Sequence, residues 1–394
     1  MAVINQVFNV INSANKQAWG AEALQLTDTQ SLIAFGNFLR NDATADSMEV
    51  WMGKISNIIS KTIIRGNRAV DVDDLELAVD EFTWGGILRV LRVVPTDVEH
   101  NTEFDLGDQA FDPFKIKTPK VIQKLYSKYG TYQGMVTITD KQLFTAFESE
   151  SALMAFYDAV YQQLSNIMVV AKNSYDRLAL CSFIAEKKKL QVTQPTKMHT
   201  FDIGAAYKAE TGNTLDRTKA LEGTDPEFLR YCAKKIPQIK KQMGAYTATF
   251  NATEGEELIP QQTSAEYMKF YILDNIESGF KAYLYSNTYH EDMVNINTYK
   301  TVPYWQAVGT DKPFSATNTS KINVKAASDG TEVEMDGIIA VMMDKDAVTT
   351  CYREENGESV RVPTKGVNHI KNITMMYALD VLANGCVIYV GAVA

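Results

Sequence analysis

The sequence is poor in the residues that usually carry chemistry. Its four histidines, His100, His199, His290 and His369, stand at neither HxxxH nor HExxH spacing, which removes clustered-His metal sites and the zinc-protease pattern. Its four cysteines, Cys181, Cys232, Cys351 and Cys386, lie far apart with no CxxC pair. That argues against a zinc site or a disulfide framework and predicts four buried, reduced thiols. Gly-rich phosphate loops are missing: there is no GxxxxGK[ST], Gly53-Lys54 lacks its partner glycine, and neither GxGxxG nor GxSxG occurs. Paired acids such as Asp344/Asp346 occur in any acidic chain and carry no catalytic reading. No run approaches the ~20 apolar residues of a membrane span. The opening MAVINQVFNVINSANK lacks the charged lead and continuous apolar core of a signal peptide. Positive charge is also short: 39 Lys and Arg stand against 48 Asp and Glu, a net charge of -9. Wrapping nucleic acid needs a basic field, so that role is excluded. A protein lying beside nucleic acid without gripping it is compatible with the balance.

What remains is a strong fold signal. The chain has 394 residues, 45% of them hydrophobic, enough for a substantial core and roughly two or three domains. Val3, Ile4, Val7, Phe8 and Ile11 recur at helical spacing. A second helix carries Leu32, Ile33, Phe35 and Leu39, and a third carries Trp51, Ile55, Ile59 and Ile63 before Gly66. The acid-rich DVDDLELAVDEF (71–82) fails the calcium-loop spacing, because Leu75 and Glu76 fall where a ligand and Gly belong. It reads as a solvated helix start.

From Gly85 the pattern changes. ILRVLRVV reads as a strand that Pro95 interrupts. Acids follow, including Asp97, Glu99, Glu103 and Asp105; then come Lys115, Lys117, Lys120, Lys124 and Lys128. Tyr132, Val136 and Ile138 next alternate with Thr131, Gln133, Thr137 and Thr139, a strand with two distinct faces. Residues 85–139 thus read as a long excursion that leaves acidic and returns basic. A two-stranded ribbon is marginal alone in water, so it needs a surface to lie on. Its oppositely charged limbs suit pairing between copies of the chain. The predicted contacts are those nine charged residues together with Val7, Phe8 and Ile11.

No Gly or Pro occurs from Met135 to Gln194. Leu153, Phe156, Val160, Leu164, Ile167, Met168, Ala171, Tyr175 and Leu178 recur at three and four, predicting one helix over 149–189. Lys187, Lys188 and Lys189 sit where cations favour a helix C-terminus. Residues 191–224 read as strand and then polar loop. Asp225-Pro226 caps a helix over 225–243, which Pro237 kinks or splits. GIIAVMM (337–343) and CVIYV near the end read as buried strands, Glu355-Asn356-Gly357 as a hairpin turn, residues 369–381 as a long extended segment and Asn384-Gly385 as a turn.

Two blocks carry a family resemblance: FDPFKIKTPKVIQKLYSKYGTYQGMVTITDKQLFTAFESESALMAFYDAVYQQLSNIMVVAKNSYDRL (111–178) and MMDKDAVTTCYREENGESVRVPTKGVNHIKNITMMYALDVLANGCVIYV (342–390). In order and pattern they resemble the major capsid proteins of tailed bacteriophages, in particular the shell proteins of phi-29-like podophages. The resemblance implies an α+β, HK-97-like fold. Residues 1–84 would be the N-terminal arm and helices, 85–139 the E-loop, and 140–199 the P-domain with its spine helix. Residues 200–380 would form the A-domain with interleaved P-domain segments, and 381–394 the final strand. It further implies no enzyme, no cofactor and no metal, and a virion location after assembly in the host cytoplasm. Partners would be sister copies in pentamers and hexamers of an icosahedral shell, a separate scaffolding protein, a portal, and packaged double-stranded DNA bound without sequence specificity. A lone copy would leave the ribbon's underside and the leading helices unburied. An encapsulin-like nanocompartment shell is the alternative on the same fold, and an enzyme or binding module of another fold is the third reading.

Overall fold

The computed structural model describes residues 11–16, 19–20, 25–27, 29–41, 51, 75–78, 88–94, 114, 116, 118, 120–126, 129–139, 150–254, 257–285, 299–306, 319–354, 358–363 and 366–392. The predicted contacts Val7, Phe8, Asp97, Glu99, Glu103, Asp105, Lys115, Lys117 and Lys128 lie outside them.

The spine is helix α2, Glu150–Thr193, after a first helix α1, Thr29–Asn41. Its 44 residues span about 66 Å at ~1.5 Å per residue. It runs past the three lysines and stops just before Pro195, so they lie inside the helix and not in its last turn. Leu164 and Met168 face inward, and from Ala179 to Lys187 every residue is buried. An apolar stripe suffices where the helix lies on one surface; burial all round marks where it passes between elements.

Two sheets flank it. Strand β11, Ile338–Asp344, is buried almost throughout because it has neighbours on both edges. Its partners are β15, Gly385–Tyr389, and β7, Met268–Leu273, with β4, Thr200–Asp202, and β8, Lys300–Val302, at the flanks in the order β4-β15-β11-β7-β8. The second sheet is built on β14, Gly366–Leu379. One edge takes β3, Gly130–Thr139, over ten paired residues; the other takes β12, Val348–Glu354, and then β13, Glu358–Val362. Thus β12 and β13 run in the same direction along one edge; the turn expected at Glu355-Asn356-Gly357 lies outside the described residues. Glu354 pairs with Ile373 and Glu358 with Ile370. A hairpin follows, where Val362 pairs with Gly366 across Pro363.

Helix α5, Pro226–Gly244, is capped by Asp225, whose side chain accepts from Glu227 N and Phe228 N; it continues unbroken through Pro237. Before it stand α3, Ile203–Thr211, and α4, Arg217–Glu222, where polar loop was expected. Each has an Asp N-cap and a left-handed Gly at its end. Residues 75–78 are not a solvated helix start. Leu75 and Leu77 enter the main core, and Ala78 bridges Thr350 in parallel register. Several described residues of the leading segment also bury one another. Ile11, Phe35 and Trp51 are buried, Trp19 meets Phe35, Phe38 and Trp51, and Trp51 Nε1 donates to Asn15 Oδ1 at 2.6 Å. Aromatic pairing within one copy supplies the burial expected from sister molecules.

Candidate assembly surface

The ribbon pairs β1, Leu88–Val94, with β2, Lys120–Tyr126, antiparallel from Leu88↔Tyr126 to Val94↔Lys120. The return limb is therefore the lysine-bearing KVIQKLY, while residues 130–139, expected within the excursion, belong to the body on β14. Period-two alternation gives the ribbon two faces. Arg92, Ile122, Lys124 and Tyr126 are half-buried toward the body. Leu91, Val93, Val121 and Leu125 point the other way and are 56%, 59%, 55% and 55% exposed.

The inward face is rooted on one turn. Arg92 Nη2 lies 2.5 Å from Asp380 Oδ2, and its Nε donates to the same oxygen at 2.7 Å. Tyr126 OH donates to Leu379 O at 2.5 Å, and Ile122 packs on Ala252, Ile259 and Leu382. Burial, with Asp380 beside it, pushes the Tyr126 phenol up to about 12. The turn after β14 also receives the spine helix: Lys187 Nζ donates to Val381 O at 3.1 Å and to Ala383 O at 2.5 Å. Lys188 reaches Glu334 O, and Lys189 donates to Ser328 Oγ at 2.6 Å and pairs with Asp329 at 2.8 Å. The three lysines expected to serve the helix dipole instead tie the spine to that turn and to the hairpin of β9, Ile322–Lys325, and β10, Glu332–Met335.

Nearer its start the spine packs on the second sheet through Tyr175, whose ring meets Tyr132, Tyr352 and Tyr377 at 5.5–6.4 Å between centroids. Asp176 beneath them accepts from Thr350 Oγ1 at 2.6 Å and from Tyr352 OH. The helix also carries exposed Ile167, at the margin of its contact with β3, and exposed Val170 and Leu178, among Gln163, Asn166 and Ser174.

Of the twelve predicted contacts, three fall on described residues. Ile11 is covered within its own chain, Lys124 is half-buried toward the body, and Lys120 shares its parity at the ribbon's far end. Sequence reasoning named charges and missed both the root (Arg92, Tyr126, Lys187, Asp380) and the outer apolar face. A signal was present: LRVLRVV and KVIQKLY carry apolar residues at both parities, as a ribbon covered on both faces must.

Among the described residues no group of three or more His, Cys, Asp or Glu is placed to hold a metal, and no helix is long and apolar enough to cross a membrane. All four cysteines are buried and unpaired; burial pushes the Cys181 and Cys386 thiols up to about 12.

Comparison with solved structures identifies the class. The fold matches a chain of the capsid of Staphylococcus phage Andhra at 12% identity, covering 80% of this chain and 84% of that one, with a TM-score of 0.50. It also matches a chain from the structure of the head fiber and inner core protein gp22 of native bacteriophage P68, at 12% identity, 79% and 83% coverage and a TM-score of 0.51. The architecture is that of a phage capsid subunit, the HK97-like fold. No curated protein sequence matches the chain. The family model of the Phi29-like phage major capsid protein matches residues 9–389, so the chain belongs to that family and is a structural protein of the phage shell. Neither comparison favours the nanocompartment alternative.

Proposed function

We propose that copies of this chain close into pentamers and hexamers of an icosahedral head around double-stranded DNA, each ribbon lying across the spine helix of the next copy. One observation carries the reading: Leu91, Val93, Val121 and Leu125 line the ribbon's outer face and stay exposed in the single chain. Contiguous exposed apolar surface of this kind marks an interface. The outer stripe of the spine, with Ile167 and Val170, is the complementary surface. The contact joins unlike patches of two copies; such contacts make rings when the rotation closes. The acidic stretch 97–105 and the basic stretch 115–128 add charge pairing between copies.

The net charge of -9 suits a container that encloses DNA without adhering to it. Assembly in the host cytoplasm then needs a separate scaffolding protein and a portal. Negative-stain microscopy of the purified full chain, with and without the scaffold, tests this. Closed icosahedral particles support it; a compact monomer under every condition, or a small shell loaded with an enzyme, overturns it.

A further inference from the structure

A strand at the edge of a sheet offers unpaired main-chain groups to any other strand, and proteins usually spoil such edges with charge, proline, a bulge or brevity. Most edges of this chain follow that rule. β4 and β8 have three residues each and carry Asp202 and Lys300, and β13 carries Glu358 and Arg361. Among the described residues every edge strand but one carries a charged side chain. The exception is β3. Its ten residues, GTYQGMVTIT, contain no charge and no proline. Its register with β14 runs unbroken from Gly130↔Met375 to Thr139↔Gly366, so no bulge bends it away. No described strand lies on its other edge.

The two faces of β3 differ. Tyr132 meets the ring of Tyr175 on the spine, a Cβ on Gly134 would run into Met168 Cε, and Ile138 is buried. Thr131, Gln133, Met135 and Thr137 point the other way and are exposed. Two of them are fixed to the neighbouring strand. Thr131 Oγ1 shares a hydrogen bond with Thr374 Oγ1 at 3.1 Å, and Thr137 Oγ1 donates to Asn368 Oδ1 at 2.7 Å.

We propose that the bare edge of β3 pairs with the same edge of a second copy, antiparallel, about a two-fold axis at Met135. The inference rests on the reading of the chain as a shell subunit and adds a contact of a different kind. The ribbon joins unlike patches, whereas a contact across a two-fold axis joins a patch to itself. β3 meets that condition. A charged edge would set like charge against like across the axis, which destabilises a strand pair; an uncharged edge does not. The exposed side chains fix the register. With the axis at Met135, Gln133 stands opposite Thr137 of the second copy, and the two Met135 side chains, each 52% exposed in the single chain, cover one another. An axis at Gly134 or Val136 would set Met135 against Gln133 or Thr137, apolar against polar. Directly opposite residues share a face, so both spine helices lie on one side of the joined sheet, as in the wall of a shell.

The test is crosslinking of the full-length chain in assembled particles with a short bifunctional thiol reagent, read as dimer on a denaturing gel. The four native cysteines are buried, which shields them. Directly opposite Cβ atoms lie about 4.5–5.5 Å apart, so Met135→Cys gives dimer. Gln133→Cys alone gives none, because its copies stand four residues out of step; particles mixed from Gln133→Cys and Thr137→Cys chains give dimer. Gln133→Lys with Thr137→Lys loses particles where the unsubstituted chain assembles, and Gln133→Lys with Thr137→Glu restores them, which separates edge repulsion from misfolding. Particles of Met135→Cys that yield no dimer, or normal particles from the double Lys variant, overturn the pairing and leave the shell reading standing. If the unsubstituted chain forms no particles, the shell reading fails, and the concentrated soluble Met135→Cys chain decides the pairing: dimer supports it and monomer refutes it.

Discussion

Val93 and Val121 stand directly opposite one another across the ribbon, and both point into solvent. Apolar side chains exposed side by side mark a surface to be covered, and none of the described residues of the single chain covers this pair. Replacing Val93 by Lys and Val121 by Glu keeps the opposed pair compatible and the fold of the subunit intact, because among the described residues nothing packs on this face, and blocks assembly. Circular dichroism and denaturant midpoint stay within about 0.5 kcal/mol of the parent, as surface substitutions do, while sedimentation shows subunits in place of particles. Normal particles from the double variant refute the interface.

Adjacent lysines on the spine differ sharply in what they hold. Lys187 is buried and satisfies two carbonyls of the turn at 380–384; Lys189 pairs at the surface with a half-exposed Asp329. Lys187→Ala strands two buried acceptors and leaves a void, and is expected to cost about 3 kcal/mol. Lys189→Ala loses an exposed ion pair and costs less than about 1 kcal/mol. Urea unfolding of the two variants side by side checks the order; equal losses contradict it.

Two buried histidines make stability depend on pH. Burial, then Lys187 and Lys197, lowers His199 to about 3, and burial lowers His369 to about 4. Unfolded histidine binds a proton near 6.5, so below that pH the unfolded chain holds protons that the folded one refuses. The histidine contribution is complete above about 6.5 and falls as pH drops toward 4, by at most about 1.4 kcal/mol per unit for each histidine. Unfolding measured from pH 7 to 5 shows this slope, and His369→Gln reduces it. A slope unchanged by that substitution sinks the assignment.

Long elements were legible because their pattern repeats. The spine helix, the β11 and β15 strands, the extended β14 and the Asp225-Pro226 helix start all follow from periodicity and caps, and observed bounds differ from expectation by a few residues. Short elements were not. In α3 and α4 the apolar repeat is too brief to register, although Asp202 with Gly212 and Asp216 with Gly223 mark both ends. Leu75 and Leu77 escaped notice because their acidic neighbours dominate the stretch. Long-range partners are set by tertiary packing: nothing local in KVIQKLY says that it pairs with LRVLRVV, or that Arg92 meets Asp380 at 288 residues' separation.

The end of α4 and helix α6, Asp274–Gly279, cross tightly. A Cβ on Gly279 would stand 2.3 Å from Gly223 O, and one on Gly223 would stand 2.3 Å from Asn275 O. Both obstacles are backbone, so neither can rotate away. Gly223 also has φ +67, left-handed, whereas Gly212 has φ +74 with nothing within 4 Å. The two effects can therefore be separated. Gly212→Ala meets only the backbone penalty, about 1–2 kcal/mol. Gly279→Ala meets only the clash, which overpacking data put at about 1–3 kcal/mol. Gly223→Ala meets both and is the most destabilising of the three. Denaturant midpoints of the three variants give the ranking directly. If Gly223→Ala costs no more than Gly212→Ala, the helices yield at the crossing and the backbone contact does not hold them in place.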